Sequence, residues 1–86
     1  MFDKRMKYIK FNDNLSDNNI IVFPQHFNHA WMAERFREKV ISAGFVKFTE
    51  NGLECYGDSY SLNVQYDPED TELLRAQLGY NSKENN

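Results

Sequence analysis

Asn51-Gly52 limits the folding options of this chain more than any other feature. An Asn-Gly pair between apolar stretches favours a type I′ turn, because both central residues take positive φ, and such a turn makes the flanking segments antiparallel neighbours. A two-residue loop sets Glu50 opposite Leu53, Phe48 opposite Cys55 and Val46 opposite Gly57. Val46, Phe48 and Cys55 then share a face that should be the core, while Phe45, Lys47, Glu54 and Tyr56 share the other. Gly57-Asp58 reads as a bend. Residues 60–65 alternate, which predicts a half-buried strand with Tyr60, Leu62 and Val64 inward.

Upstream, residues 6–11 read as a first strand, with Ile9 and Phe11 on one side and Met6 and Tyr8 on the other. The polar run 12–19 is turn chemistry. Residues 20–23 form a short apolar strand buried on both faces. Pro24 ends its pairing for want of an N–H. Asn28 is an N-cap, flanked by Phe27 and Met32 at hydrophobic-staple positions. Ala33, Phe36, Val40 and Ala43 form an apolar stripe, Glu34, Arg35, Arg37, Glu38 and Lys39 a wet side, and Gly44 a C′ stop; this pattern predicts a helix over 29–43. A last helix opens at Asp67-Pro68, carries Glu69 and Asp70 in its first turn, buries Leu74 and Leu78 with Leu73 and Ala76 nearby, and stops at Gly79. The expected fold class is α+β: a small, mainly antiparallel sheet in the order β-β-α-β-β-β-α with the long helix packed on one face. Residues 1–80 form one domain and 81–86 a disordered polar tail.

Eighty-six residues make a single domain that buries roughly 60% of its unfolded surface, so the stability margin is thin. Seven Phe, five Tyr and one Trp supply the core. A net charge of -3 disfavours nucleic acid as partner, since that role needs a Lys/Arg surplus. Cys55 is the single cysteine, so an internal disulfide and a cysteine-rich metal site are excluded, and a reducing compartment is expected. No run of about 18 apolar residues is present, and residues 1–10 lack the apolar core of a signal peptide. The expected location is the cytoplasm, with no membrane role.

Candidate chemistry is sparse. His26, His29 and Cys55 fall short of the four ligands that structural zinc prefers, so neither metal nor cofactor is expected. At the first turn of a helix, His29 should stay neutral near pH 7; it either fixes the Phe23-Pro24 approach or meets a ligand. Asp58, Ser59, Ser61 and His29 lack the setting of a nucleophile elbow, so no catalytic set is assigned and the chain reads as a non-enzyme. Capping explains Glu69, Asp70 and Glu72. Glu34 and Glu38 interrupt Arg35, Arg37 and Lys39, which gives a solvated face. Trp31 lies off the apolar stripe beside Arg35 and Glu38, where it serves either as an exposed binding anchor or as a cover over an edge of the core. The expected contact surface joins His26, His29, Trp31 and Arg35 to the bend at Tyr56, Ser59, Tyr60 and Ser61.

Three stretches carry a resemblance: Phe23-Pro24 with Asn28-His29-Ala30; residues 41–46, Ile-Ser-Ala-Gly-Phe-Val; and Cys55-Tyr56-Gly57 with Ser59, Ser61 and Leu62, followed by Pro68-Glu69-Asp70-Thr71. Over residues 20–79 the chain resembles short proteins of unknown function encoded by bacteria, prophages and phages, whose pattern runs F-P-x4-H-A, S-A-G-F-V, C-Y-G-x-S-x-S-L and R-P-E-D-T. Asp67 stands where that pattern has Arg. The resemblance implies a small phage- or prophage-associated protein, and such proteins often act by binding a host component. The expected function is a protein–protein interaction module, an inhibitor of a bacterial enzyme or defence complex, with a bacterial protein as partner. One alternative is a nucleic-acid or nucleotide binder stacking bases on Tyr8, Tyr56 and Tyr66; a third reading is a small enzyme using His29. Sheet edges at residues 20–23 or 60–65 leave a homodimer open.

Overall fold

The computed structural model describes residues 4–12, 19–36, 38–50 and 52–79. The centre of the first polar turn, Arg37, Asn51 and the 81–86 tail lie outside the described residues.

Four strands, β1 (Lys4–Phe11), β2 (Ile20–Pro24), β3 (Val40–Thr49) and β4 (Gly52–Tyr56), form an antiparallel sheet in the order β2-β1-β3-β4. A short helix, α1 (His29–Ala33), joins β2 to β3. A small hairpin of β5 (Asp58–Ser59) and β6 (Val64–Gln65) follows β4 and packs against β3, and α2 (Asp70–Leu78) closes the chain. The class is α+β with a mainly antiparallel sheet, as expected.

The sheet buries residues on both faces. Side chains alternate along each strand, so β1 sends Tyr8 one way and Ile9 and Phe11 the other, as its pattern predicts. Tyr8, Ile20, Val46, Leu53 and Cys55 pack with Leu74 of α2 on the first face. Ile9, Phe11 and Phe23 form a second cluster on the other face, joined by Phe27, Met32, Ala33 and Val40. The two helices therefore serve opposite sides of one sheet.

The β3–β4 hairpin has the expected faces but a different register. Phe48 pairs with Leu53, Val46 with Cys55 and Thr49 with Gly52. Each β3 residue meets a partner two positions earlier than the Asn51-Gly52 turn implies. A shift of two leaves every side chain on its face, so Val46 and Cys55 remain buried and Phe48 packs beside them. Gly52 still takes the positive φ that favours glycine, at 133°.

The helix expected over 29–43 ends at Ala33. Asn28 caps it as read, accepting from the amides of Ala30 at 2.8 Å and Trp31 at 3.1 Å. The next amides reach back only three residues, Arg35 to Met32 and Phe36 to Ala33, and the chain leaves the helix. Tertiary packing overrides the helical pattern here. Phe36 lies 4.9 Å from Phe11, while Val40 pairs with Phe11 and Ala43 with Ile9. The apolar stripe is satisfied by a strand. Gly44 is thus no helix stop: a Cβ there would stand 2.5 Å from the Tyr56 carbonyl oxygen, so the position requires glycine for close approach.

Residues 60–65 are not one strand. Residues 60–63 turn between β5 and β6, Asn63 takes φ 58°, and its amide returns to the Ser59 carbonyl at 2.9 Å. Tyr60, expected inward, is 98% exposed, whereas Ser59 is buried. Ser59 Oγ accepts the Leu62 amide at 3.2 Å, a local bond that competes with strand pairing.

Asp67 accepts from the Glu69 amide at 3.1 Å and so shapes the turn before α2, whose first helical residue is Asp70. Gly79 ends α2 with φ 84°, as expected. From its place over the first face, α2 reaches both edges of the sheet. The Gln77 amide donates to the Ile20 carbonyl at 2.7 Å and accepts the Ile20 amide at 3.3 Å. On the β4 edge, Thr71 Oγ1 accepts the Cys55 amide at 2.9 Å and Arg75 donates to the Leu53 carbonyl at 3.1 Å. These bonds occupy backbone groups that an edge would otherwise offer to another strand.

Candidate functional site

Three rings and a guanidinium stack at the surface where β2 enters α1. His26 lies 4.3 Å from Phe27 at 35°, and Phe27 stacks on Trp31 at 5.1 Å and 16°. The Arg35 guanidinium covers the Trp31 ring at 4.0 Å and donates to the Trp31 carbonyl at 2.7 Å. Of Phe27, Trp31 and Arg35, only Trp31 lies within α1; Phe27 precedes the Asn28 cap and Arg35 follows the last helical residue, and each folds back onto the Trp31 ring from its own side of the helix. Lys7 Nζ anchors the base of this stack through the Phe27 carbonyl, 2.7 Å away. Trp31 remains 43% exposed. Phe27 was legible only as a staple residue.

His29 lies beneath that surface and is buried. Its Nε2–H donates to the Gly44 carbonyl at 2.8 Å, and its ring packs against Phe23 at 5.8 Å and Phe45 at 5.7 Å. Burial lowers its pKa; the Gly44 carbonyl pulls upward against this, Lys7 lowers it further and Asp58 raises it, with a net shift below 6.5. This neutral imidazole joins α1 to β3, which is structural work beside the Phe23-Pro24 approach.

The bend residues do meet the start of α1. Ser61 Oγ accepts from the Ala30 amide at 3.3 Å, sharing that donor with Asn28. Tyr60 and Ser61 are exposed, Tyr56 is half-buried against Phe45 at 5.8 Å, and Ser59 is inside. His26, Trp31, Arg35, Tyr60 and Ser61 therefore face solvent, while His29 and Ser59 support them from within. An open groove of about 410 Å³ runs between α1 and the small hairpin, floored by Ala33, Val40, Leu62 and Val64 and edged by Glu34 and Glu38. Of the rings proposed for base stacking, Tyr8 is fully buried and so belongs to the core instead.

The most concentrated polar chemistry is one that sequence reading assigned to capping. Asp70 is wholly buried. Its Oδ2 accepts from Tyr8 Oη at 2.5 Å, Ser42 Oγ at 2.7 Å and the Asp67 amide at 3.1 Å, and Lys10 Nζ stands 2.9 Å from Oδ1. Burial alone would raise this carboxyl's pKa; the bonds from Tyr8, Lys10, Ser42 and Asp67 outweigh it and hold the pKa below 3.8. The same burial and carboxylate push the Tyr8 hydroxyl well above the usual phenol range. Burial also raises the Cys55 thiol to about 12, against a lowering bond from Thr71, so the free cysteine is inert. Among the described residues, no group of three His, Cys, Asp or Glu side chains could hold a metal, and no helix is long and apolar enough to cross a membrane.

No family model matches the chain, and no curated protein or solved structure shows significant similarity to it.

Proposed function

We propose that this chain is a protein-binding module whose contact surface is the stack from His26 to Arg35. The observation that carries this reading is Trp31, exposed yet already fixed between Phe27 and Arg35. Trp and Arg dominate binding hot spots, and a side chain ordered before association loses little further rotamer freedom on binding. Phe27 and Arg35 engage the Trp31 ring, which favours contact through ring edges, as protein side chains supply, over insertion of a base. Ser61 and Tyr60 extend the surface across the start of α1. The narrower reading, an inhibitor of a bacterial enzyme or defence complex, draws its support from the resemblance of residues 20–79 to short phage and prophage proteins.

Affinity capture from bacterial lysate with mass spectrometry, run beside Trp31→Ala, tests the proposal. Truncating a hot-spot Trp costs about 2 kcal/mol or more, roughly thirtyfold in affinity. A protein retained by the wild type and lost with the variant, whose circular dichroism is unchanged, is the expected result. Equal retention by both would remove this surface.

A further inference from the structure

Lys4, Arg5, Lys47 and Gln25 line a cavity of about 240 Å³ at the end of the β1–β3 pair. Arg5 stands directly opposite Lys47 in the register, and like charges in that position oppose strand pairing. Glu54 is the other cross-strand neighbour of Lys47. Among the described residues, however, no carboxylate comes within ion-pair distance of Lys4, Arg5 or Lys47. Lys7 follows Arg5 on the same face and bonds to Phe27, so positive charge runs from this cavity to the foot of the ring stack. Four of the ten Lys and Arg residues gather here, on a chain whose net charge is -3.

Arg5 and Lys47, brought together by strand pairing and without an ion pair to a carboxylate among the described residues, repel one another until an anion enters. The Arg5 guanidinium offers a planar fork that matches a carboxylate, Lys47 adds an ammonium donor, and Gln25 adds a neutral amide. We infer that this cavity is an oxyanion site that takes a carboxylate from an acidic segment of the protein partner, beside the ring stack. This rests on the binding-module reading. A nucleic acid is the poorer fit: the neighbouring Trp31 ring, on which a base would stack, is already engaged by Phe27 and Arg35.

The probe is a capped hexaglutamate peptide, titrated into the ¹⁵N-labelled full chain, with an eight-nucleotide oligothymidylate as the comparison. The amides of Arg5, Gln25 and Lys47 should shift and saturate with the peptide, and the apparent affinity should fall at least fivefold in Arg5→Gln/Lys47→Gln. The melting temperature of Arg5→Gln should not fall, because repulsion is relieved. Non-saturating shifts, an unchanged affinity in the double variant, or tighter binding of the oligonucleotide than of the peptide would each overturn the assignment. Repeating the peptide titration on Trp31→Ala separates the two readings. Retained binding there supports the site even if the capture experiment removes the ring stack as the docking surface. Its loss overturns an oxyanion site formed by Arg5, Lys47 and Gln25.

Discussion

Asp70 carries charge sealed from bulk solvent, and its surroundings are built to keep it charged. Lys10 is nearly as buried, at 6% exposed, so the two ions depend on one another. Removing one member of a buried pair leaves the other uncompensated, at a cost of about 3–5 kcal/mol. Asp70→Ala should lose that much in urea denaturation, and adding Lys10→Met should recover part of it; a loss below about 1 kcal/mol would contradict the account. Two groups also set the response to acid. Burial holds His29 below 6.5, so as pH drops beneath 6.5 the unfolded chain takes up a proton that the folded imidazole refuses, and stability falls. Asp70, held below 3.8, contributes fully above that value and loses its contribution as pH falls through its folded pKa. Melting temperature from pH 8 to pH 3 should therefore decline in two stages. His29→Gln, whose amide can still donate to Gly44, should lack the first stage. Asn28 and Gly79 were legible in the sequence because a cap is a local event. Asp70 was not: two of its partners, Ser42 and Tyr8, lie 28 and 62 residues away, and Pro-Glu-Asp-Thr by itself reads as nothing more than a helix start.

At the scale of elements, α2 acts as a tie across the sheet. Leu74 anchors it in the first core, while Gln77 and Thr71 engage opposite edges. Gln77→Ala should speed hydrogen exchange of the Ile20 amide, and Thr71→Val that of the Cys55 amide, each with little effect on the other edge. Uniform acceleration at both edges would instead mean that α2 had loosened as a whole. Gly44→Ala should destabilise by about 1–3 kcal/mol, since the added carbon meets a backbone oxygen; a thermal melt unchanged from the wild type would contradict that close approach. Face parity in β1, β3 and β4 was readable because alternation survives a register shift of two. The extent of α1 was not, because Ala33, Phe36, Val40 and Ala43 fit a helical stripe as well as a short helix followed by a strand. The choice was made by contacts with Phe11 and Ile9, which no window over 29–43 contains.

For the molecule as a whole, one sheet is covered on both faces. Its first face is closed by α2 and the Asp70 cluster. Its second is closed by α1 and its approach, where the same residues that seal Ile9, Phe11 and Phe23 also present the ring stack. Burial of His29 and exposure of Trp31 are thus two sides of one arrangement: the histidine fixes α1 to β3, and the helix holds the tryptophan out. Trp31 is the single tryptophan in the chain, so replacing it with 5-fluorotryptophan puts one ¹⁹F signal on the surface in question. On addition of the captured partner, that signal should shift or broaden in proportion to complex formed. A resonance left unmoved at saturating partner, with the complex confirmed by sedimentation, would place the contact elsewhere.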